Sequence, residues 1–189
     1  ARSILGDFSS PPDYVAFPET QNEITSILDW ASENNIAVIP YGGGSSVCGG
    51  VETNVGSDYA GVISLDMKKI NSILEVDKTS RTALIEGGIL GPHLEAQLKE
   101  HDLTMRHYPQ SFEFSSLGGW IATRSGGHYA TLYTHIDDFV ESLKMITPSG
   151  SFETRRLPGS GAGPSPDRFV IGSEGIMGVI TEASMRLQN

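Results

Sequence analysis

The chain carries a single cysteine, Cys48, in 189 residues. That excludes an internal disulfide framework and points to a reducing compartment, the cytoplasm being the expectation. No run of about 18 apolar residues occurs, so no segment reads as a membrane-spanning helix, and no secretory leader pattern is visible. Basic residues are scarce: 13 Lys plus Arg stand against 23 Asp plus Glu, a net charge of -10. Nucleic acid and anionic membrane both require a basic face, so neither is expected as a partner. Phosphate ligands remain open, because backbone N–H groups hold them without Lys or Arg. Signatures are missing too. There is no G-x-G-x-x-G after the first strand and no G-x-x-x-x-G-K-[ST], which leaves Rossmann and P-loop binding unsupported. No G-x-S-x-G elbow is present. The five histidines (His93, His101, His107, His128, His135) show no metal-ligand spacing with carboxylates or Cys48, so no metal is expected.

What is present reads as two lobes. In residues 1–66, Tyr14 to Phe17 is a short extended stretch, and Thr20 to Glu23 has the spacing of a capping box. The helix behind it places Ile24, Ile27, Leu28 and Ala31 on one face. Ile36 to Pro40 and Gly61 to Leu65 read as buried strands, and strand–helix–strand order predicts a small, mixed or parallel sheet. Residues 67–189 change character. Ile73 to Val76 and Thr82 to Glu86 flank a Lys78-Thr79-Ser80 turn, and Gly91-Pro92 opens a helix. Glu141 to Thr147 and Ser151 to Thr154 flank Pro148-Ser149-Gly150. Val179 to Leu187 alternates as a half-buried strand, with Glu182, Ser184 and Arg186 outward. Pro158 to Pro166 reads as a flexible loop. The fold class is α+β: a small lobe and a larger antiparallel lobe with helices.

Glycine is plentiful, 22 of 189 residues, and concentrates in three segments: Pro40 to Gly50, Ser115 to Gly127, and Gly172 to Gly178. Glycine lets backbone approach a ligand closely, so that N–H groups converge on an anion. The first segment follows a strand, and the second runs into a short helix. Any one of them alone is equally compatible with a tight turn. Three together, each beside Ser or Thr hydroxyls, point to a ligand. His93 and His101 read as solvated helix residues, whereas His128 follows Gly126-Gly127 and is a candidate for ligand or substrate.

The segments PYGGGSSV (Pro40 to Val47), PQSFEFSSLGGWIATRSGG (Pro109 to Gly127) and GSEGIMGVITEA (Gly172 to Ala183) resemble the FAD-binding, PCMH-type domain of the vanillyl-alcohol-oxidase superfamily. Within it they are most similar to the alkyl-dihydroxyacetone-phosphate synthase branch and its bacterial flavoprotein relatives. The order of all three segments fits, and the resemblance covers essentially the whole chain. It implies two α+β lobes with FAD between them.

By that resemblance Pro40, Tyr41, Gly42, Gly43, Gly44, Ser45, Ser46 and Val47 form the pyrophosphate loop. Gln110, Ser111, Phe112, Glu113, Ser115, Ser116, Gly118 and Gly119, with Thr123, Arg124, Ser125 and Gly126, run along pyrophosphate and flavin. Gly172, Ser173, Glu174, Gly175 and Gly178, with Val179 and Ile180, meet the ribitol or adenosine end. Members that attach flavin covalently often carry histidine in the first loop, where this chain has Ser45 and Ser46, so FAD is expected to be non-covalent. Arg124 and His128 are the candidates for orienting an anionic substrate, and no catalytic group is identified.

The resemblance further implies that flavin N5 holds a substrate while an acyloxy group is exchanged for an alkoxy group, a transferase activity. An FAD-linked oxidoreductase acting on a 2-hydroxy acid such as D-lactate or glycolate stands beside it. A non-enzymatic FAD-binding module of a larger assembly is a third reading. The substrate-binding domain of the family follows the FAD-binding domain and is expected after Asn189, so this stretch alone is expected to lack turnover. The resemblance leaves room for a homodimer of the full-length protein.

Overall fold

The computed structural model describes residues 9–128, 135–156 and 163–189. Strands β1 (Tyr14–Ala16), β2 (Ile36–Tyr41) and β3 (Gly61–Asp66) form a parallel sheet in the order β1-β3-β2. Parallel strands need crossover connections: helix α1 (Gln21–Glu33) links β1 to β2, which lie on either side of β3, and residues 42–60 link β2 to its neighbour β3. Its start agrees with the sequence in one arm of the capping box only. Thr20 Oγ1 accepts from the Glu23 N–H at 3.2 Å, but the Glu23 carboxylate accepts from the Glu19 N–H at 2.6 Å. The returning bond is displaced one residue upstream.

The larger sheet is antiparallel, in the order β4-β5-β8-β6-β7. Its strands are β4 (Ile73–Asp77), β5 (Thr82–Glu86), β6 (Val140–Thr147), β7 (Gly150–Glu153) and β8 (Val179–Arg186). Helices α2 (Gly91–Lys99) and α3 (Leu117–Thr123) lie between β5 and β6 in sequence, and α4 (Pro166–Val170) precedes β8. Asp77 closes the β4–β5 turn by accepting from the Thr79 and Ser80 N–H groups, and these bonds, Ser80's first, lower its carboxyl pKa. Of the Pro158 to Pro166 segment, residues 158–162 lie outside the described residues; Ser165 caps α4.

Strand β8 departs from the half-buried expectation. Ser184, assigned outward by alternation, is buried, and only Arg186 is exposed. The cause is position: β8 is the central strand, flanked by β5 and β6, and Gln21 of α1 donates to Glu182 on its outer side at 2.8 Å.

Two apolar clusters hold the fold. The larger packs α2 and α3 on the antiparallel sheet, through Leu94, Leu98, Leu117, Trp120 and Ile121 against Ala83, Ile85, Leu143, Met145, Ala183 and Met185. The second joins the sheets: Ile24 and Leu28 of α1, with Leu65, Met67 and Ile70, meet Ile146 of β6 and Val179 of β8. The parallel sheet therefore shares its core with the larger one, and α1 serves both. This seam fixes the relative position of the loops that follow β2, β3 and β5.

Candidate functional site

Those loops enclose a cleft of about 470 Å3, within the size range of small-molecule sites. The Gly42-Gly43-Gly44 turn forms one wall, and the reason for glycine is visible there. A Cβ on Gly43 would sit 1.4 Å from the Phe114 carbonyl oxygen, and one on Gly42 would sit 2.1 Å from Ser116 Oγ. The turn lies backbone to backbone against residues 114–116, so glycine is demanded first by packing between the two loops. Ligand approach, the reason inferred from sequence, comes second.

A further glycine pair, Gly87-Gly88, lies outside the three glycine-rich segments. It follows β5, and a Cβ at Gly88 would lie 1.9 Å from the Met67 oxygen, while one at Gly87 would lie 2.4 Å from the Ile180 oxygen. The Gly118 N–H donates to the Gly87 oxygen at 2.7 Å. Three chain segments converge on this pair, and only glycine permits the approach. The signal was present, since a diglycine directly after an apolar strand is what distinguished the first segment.

Helix α3 forms the floor. Ser116 Oγ accepts from the Gly119 N–H at 3.3 Å. The indole N–H of Trp120 donates to Ser115 Oγ at 2.6 Å, whose own hydroxyl donates to the Ser111 oxygen at 2.7 Å. The helix ends on Arg124 in the left-handed region (φ 51°), where a β-carbon costs about 1–2 kcal/mol. Its guanidinium is held by Asp137, Nη2 to Oδ2 at 3.0 Å, with that carboxylate nearly buried. The last carbonyls of α3 are satisfied from the third segment: Gly172 N–H donates to Ile121 and Glu174 N–H to Ala122, at 3.0 and 2.8 Å. Glu174 is also left-handed, φ 55°.

Behind α3 lies His107, 2% exposed. Its ring meets Trp120 and Phe139 edge-on, at 5.3 and 5.6 Å between centroids. Nε2 is 2.8 Å from Ser125 Oγ. Burial, with a smaller contribution from His135, lowers its pKa to about 4, so the ring is neutral at ordinary pH.

Most of the residues singled out in sequence line the cleft: Pro40 to Val47, Ser111, Ser115, Ser116, Gly118, Gly119, Thr123 to Gly126, Glu174, Gly175, Gly178, Val179 and Ile180. Others stand outside its lining. Phe112 stacks on Trp120 at 6.1 Å and supports it from behind. Gln110 and Glu113 are exposed, and Gly172 and Ser173 serve the turn through their backbone N–H groups. His128 borders a separate depression with Thr104, Arg106, Tyr108 and Asn189. The structure thus brings Arg124 to the cleft and leaves His128 away from it. Cys48, Gly50, Val51, Met67, Gly87, Trp120 and Ala122 line it in addition.

The lining has one acid, Glu174, and one base, Arg124, already paired with Asp137. Hydroxyls and glycine-rich backbone supply the remaining polar groups, while Val47, Met67, Trp120, Val179 and Ile180 supply apolar surface. The chemistry of this set suits a long, phosphate-bearing molecule with an aromatic portion, met by neutral donors. Among the described residues no cluster of His, Cys, Asp and Glu can hold a metal, and no helix is long and apolar enough to cross a membrane.

Comparison with known proteins places the chain in a family. The profile of the FAD binding domain family matches residues 12–155. The chain is 39% identical to alkyldihydroxyacetonephosphate synthase of Dictyostelium discoideum, over 98% of this chain and 30% of that protein. It is 34% identical to the mitochondrial D-lactate dehydrogenase (cytochrome) of Arabidopsis thaliana, over 94% of this chain and 30% of that one. A solved alkyldihydroxyacetonephosphate synthase structure superposes with a TM-score of 0.85 at 39% identity, covering 92% of this chain and 31% of its own. The chain belongs to the FAD-binding domain family, and FAD is its cofactor. It spans about 30% of the length of the first relatives it matches. The cleft fits that cofactor: neutral donors suit a pyrophosphate in an acidic protein, and the apolar floor suits flat rings.

Proposed function

We propose, with family membership as the premise, that this chain is the cofactor-holding part of a flavoenzyme resembling alkyldihydroxyacetonephosphate synthase. The higher identity to that synthase (39%) than to D-lactate dehydrogenase (34%) carries the reading. The flavin, when bound, supplies the electrophilic and redox chemistry. The chain's own residues bind and orient it. Amides of Gly42 to Ser46 and the hydroxyls of Ser111 and Ser116 hold the pyrophosphate side, whereas the Ser115 and Thr123 hydroxyls donate to backbone oxygens and shape the wall. Glu174 to Ile180 take the other end. Arg124, kept in place by Asp137, orients an anionic group of the substrate. Attachment is non-covalent, since Ser45 and Ser46 offer no stable linkage. Substrate contacts come from a domain after Asn189, and nucleic acid is not a partner of so acidic a chain.

A second reading, oxidation of a 2-hydroxy acid, is favoured by the D-lactate dehydrogenase similarity. The two differ in a colour test on the full-length, FAD-loaded protein. Formation of an ether product from an acyl-dihydroxyacetone phosphate and a long-chain alcohol, without lasting bleaching, supports exchange. Rapid anaerobic bleaching by D-lactate or glycolate supports the second reading and overturns the first.

A further inference from the structure

Ser125 is the one cleft-lining hydroxyl bonded to an imidazole: its Oγ lies 2.8 Å from His107 Nε2. The pair has the outline of a nucleophile and its base, but the surroundings argue otherwise. His107 is buried among Trp120 and Phe139, and among the described residues no carboxylate is bonded to the ring. A ring whose pKa is lowered to about 4 is a poor base near neutrality. What burial does give is orientation. The Ser125 backbone is tied at both groups, its N–H donating to the Trp120 oxygen and its carbonyl accepting from the Ile136 N–H, at 2.9 and 3.0 Å. With the main chain fixed, what remains to be set is the side chain, its χ1 and its hydroxyl rotor, and the contact with His107 bears on both.

We propose that His107 is a positioning residue that acts through Ser125: its Nε2–H donates to Ser125 Oγ and so turns the Ser125 O–H into the cleft, as a donor to bound FAD. This rests on FAD occupying the cleft as proposed above. An acceptor-rich ligand in the cleft selects this tautomer, because the reverse one would point a Ser125 lone pair at the ligand. Neutrality matters as much as direction. A charged imidazolium would need solvation that the aromatic cage cannot offer, whereas a neutral donor polarises the serine without that cost.

The test is a double-mutant cycle on FAD affinity with the chain, comparing Ser125→Ala, His107→Leu, the pair, and His107→Gln. Loss of one neutral hydrogen bond corresponds to about a tenfold weaker Kd. Ser125→Ala and His107→Leu should each show that loss, the double variant no more than either, and His107→Gln, which keeps an amide donor, should recover most of it. The 15N shifts of His107 should report the Nε2–H tautomer at neutral pH, which a merely space-filling histidine need not hold. Additive losses in the cycle, or the Nδ1–H tautomer, overturn the assignment while leaving FAD binding intact. Should His107→Leu fail to fold, His107→Gln and the 15N readout decide it. Absence of FAD uptake by the unmutated chain overturns instead the cleft reading on which the proposal rests.

Discussion

Acid should weaken this fold through His107 in a defined window. In the unfolded chain a histidine titrates near 6.5, whereas in the fold His107 is lowered to about 4 by burial and, less, by His135. Between those values the unfolded chain binds more protons than the folded one, so stability rises with pH there. The contribution is fully present above about 6.5 and is lost as pH falls towards 4. With the ring 2% exposed, the shift corresponds to about 3 kcal/mol at 1.36 kcal/mol per pH unit. For a domain of this size that is roughly 6–12 °C in Tm. Carboxylates titrate over part of the same range, so the measurement must isolate the histidine. His107→Gln does so, because its amide carries no charge at any pH. Thermal or urea unfolding of both chains should show the advantage of the wild type over His107→Gln shrinking by about 3 kcal/mol between pH 7 and pH 4. A stability difference that stays flat across that interval refutes the reasoning, and would mean that the buried ring is solvated or partnered when charged.

Other outcomes follow from single contacts. Gly43→Ala should lower Tm as well as FAD uptake, since its Cβ would meet the Phe114 oxygen at 1.4 Å; lost uptake with an unchanged Tm would restore the ligand-approach explanation. Ile24→Ala, at a fully buried position shared by both sheets, should cost about 2–5 kcal/mol and keep unfolding in one cooperative step; separate transitions for the two lobes would contradict the shared core. Acid precipitation of FAD-loaded protein should leave the yellow colour in the supernatant, and colour in the pellet would point to a covalent link, with Cys48, which borders the cleft, the first place to look.

The elements that the sequence disclosed are those whose pattern is local. Ile24, Leu28 and Ala31 at helical spacing identify α1, and the Lys78-Thr79-Ser80 turn identifies the β4–β5 hairpin. The glycine segments were legible because their composition is extreme, and they do meet around one cleft. What stayed hidden depends on distant parts of the chain. The outer face of β8 is covered because β8 is central, and strand order is not written in alternation. The role of Gly43 depends on Phe114, seventy-one positions away, so packing between loops was indistinguishable from ligand approach. Gly87-Gly88 carries a local signal, a diglycine directly after β5, but lacks the surrounding glycines that make the other segments conspicuous. His107 looked like any other histidine, because neither its burial nor its bond to Ser125 leaves a periodic trace. His128 follows two glycines in sequence, and those neighbours do not carry it into the cleft.

The central claim is that FAD lies in the cleft between the two sheets, against α3. Gly119 offers the most direct test, because it lines that cleft and a Cβ there meets only Ser116 Oγ, at 3.3 Å, before open space. Calorimetric titration with FAD should therefore be run on the wild-type chain and on Gly119→Val, with Tm measured for both. The account predicts one FAD per wild-type chain, and at least tenfold weaker binding by a Gly119→Val chain that stays folded. Equal affinity in the two folded chains, or no uptake by the wild type, would contradict it.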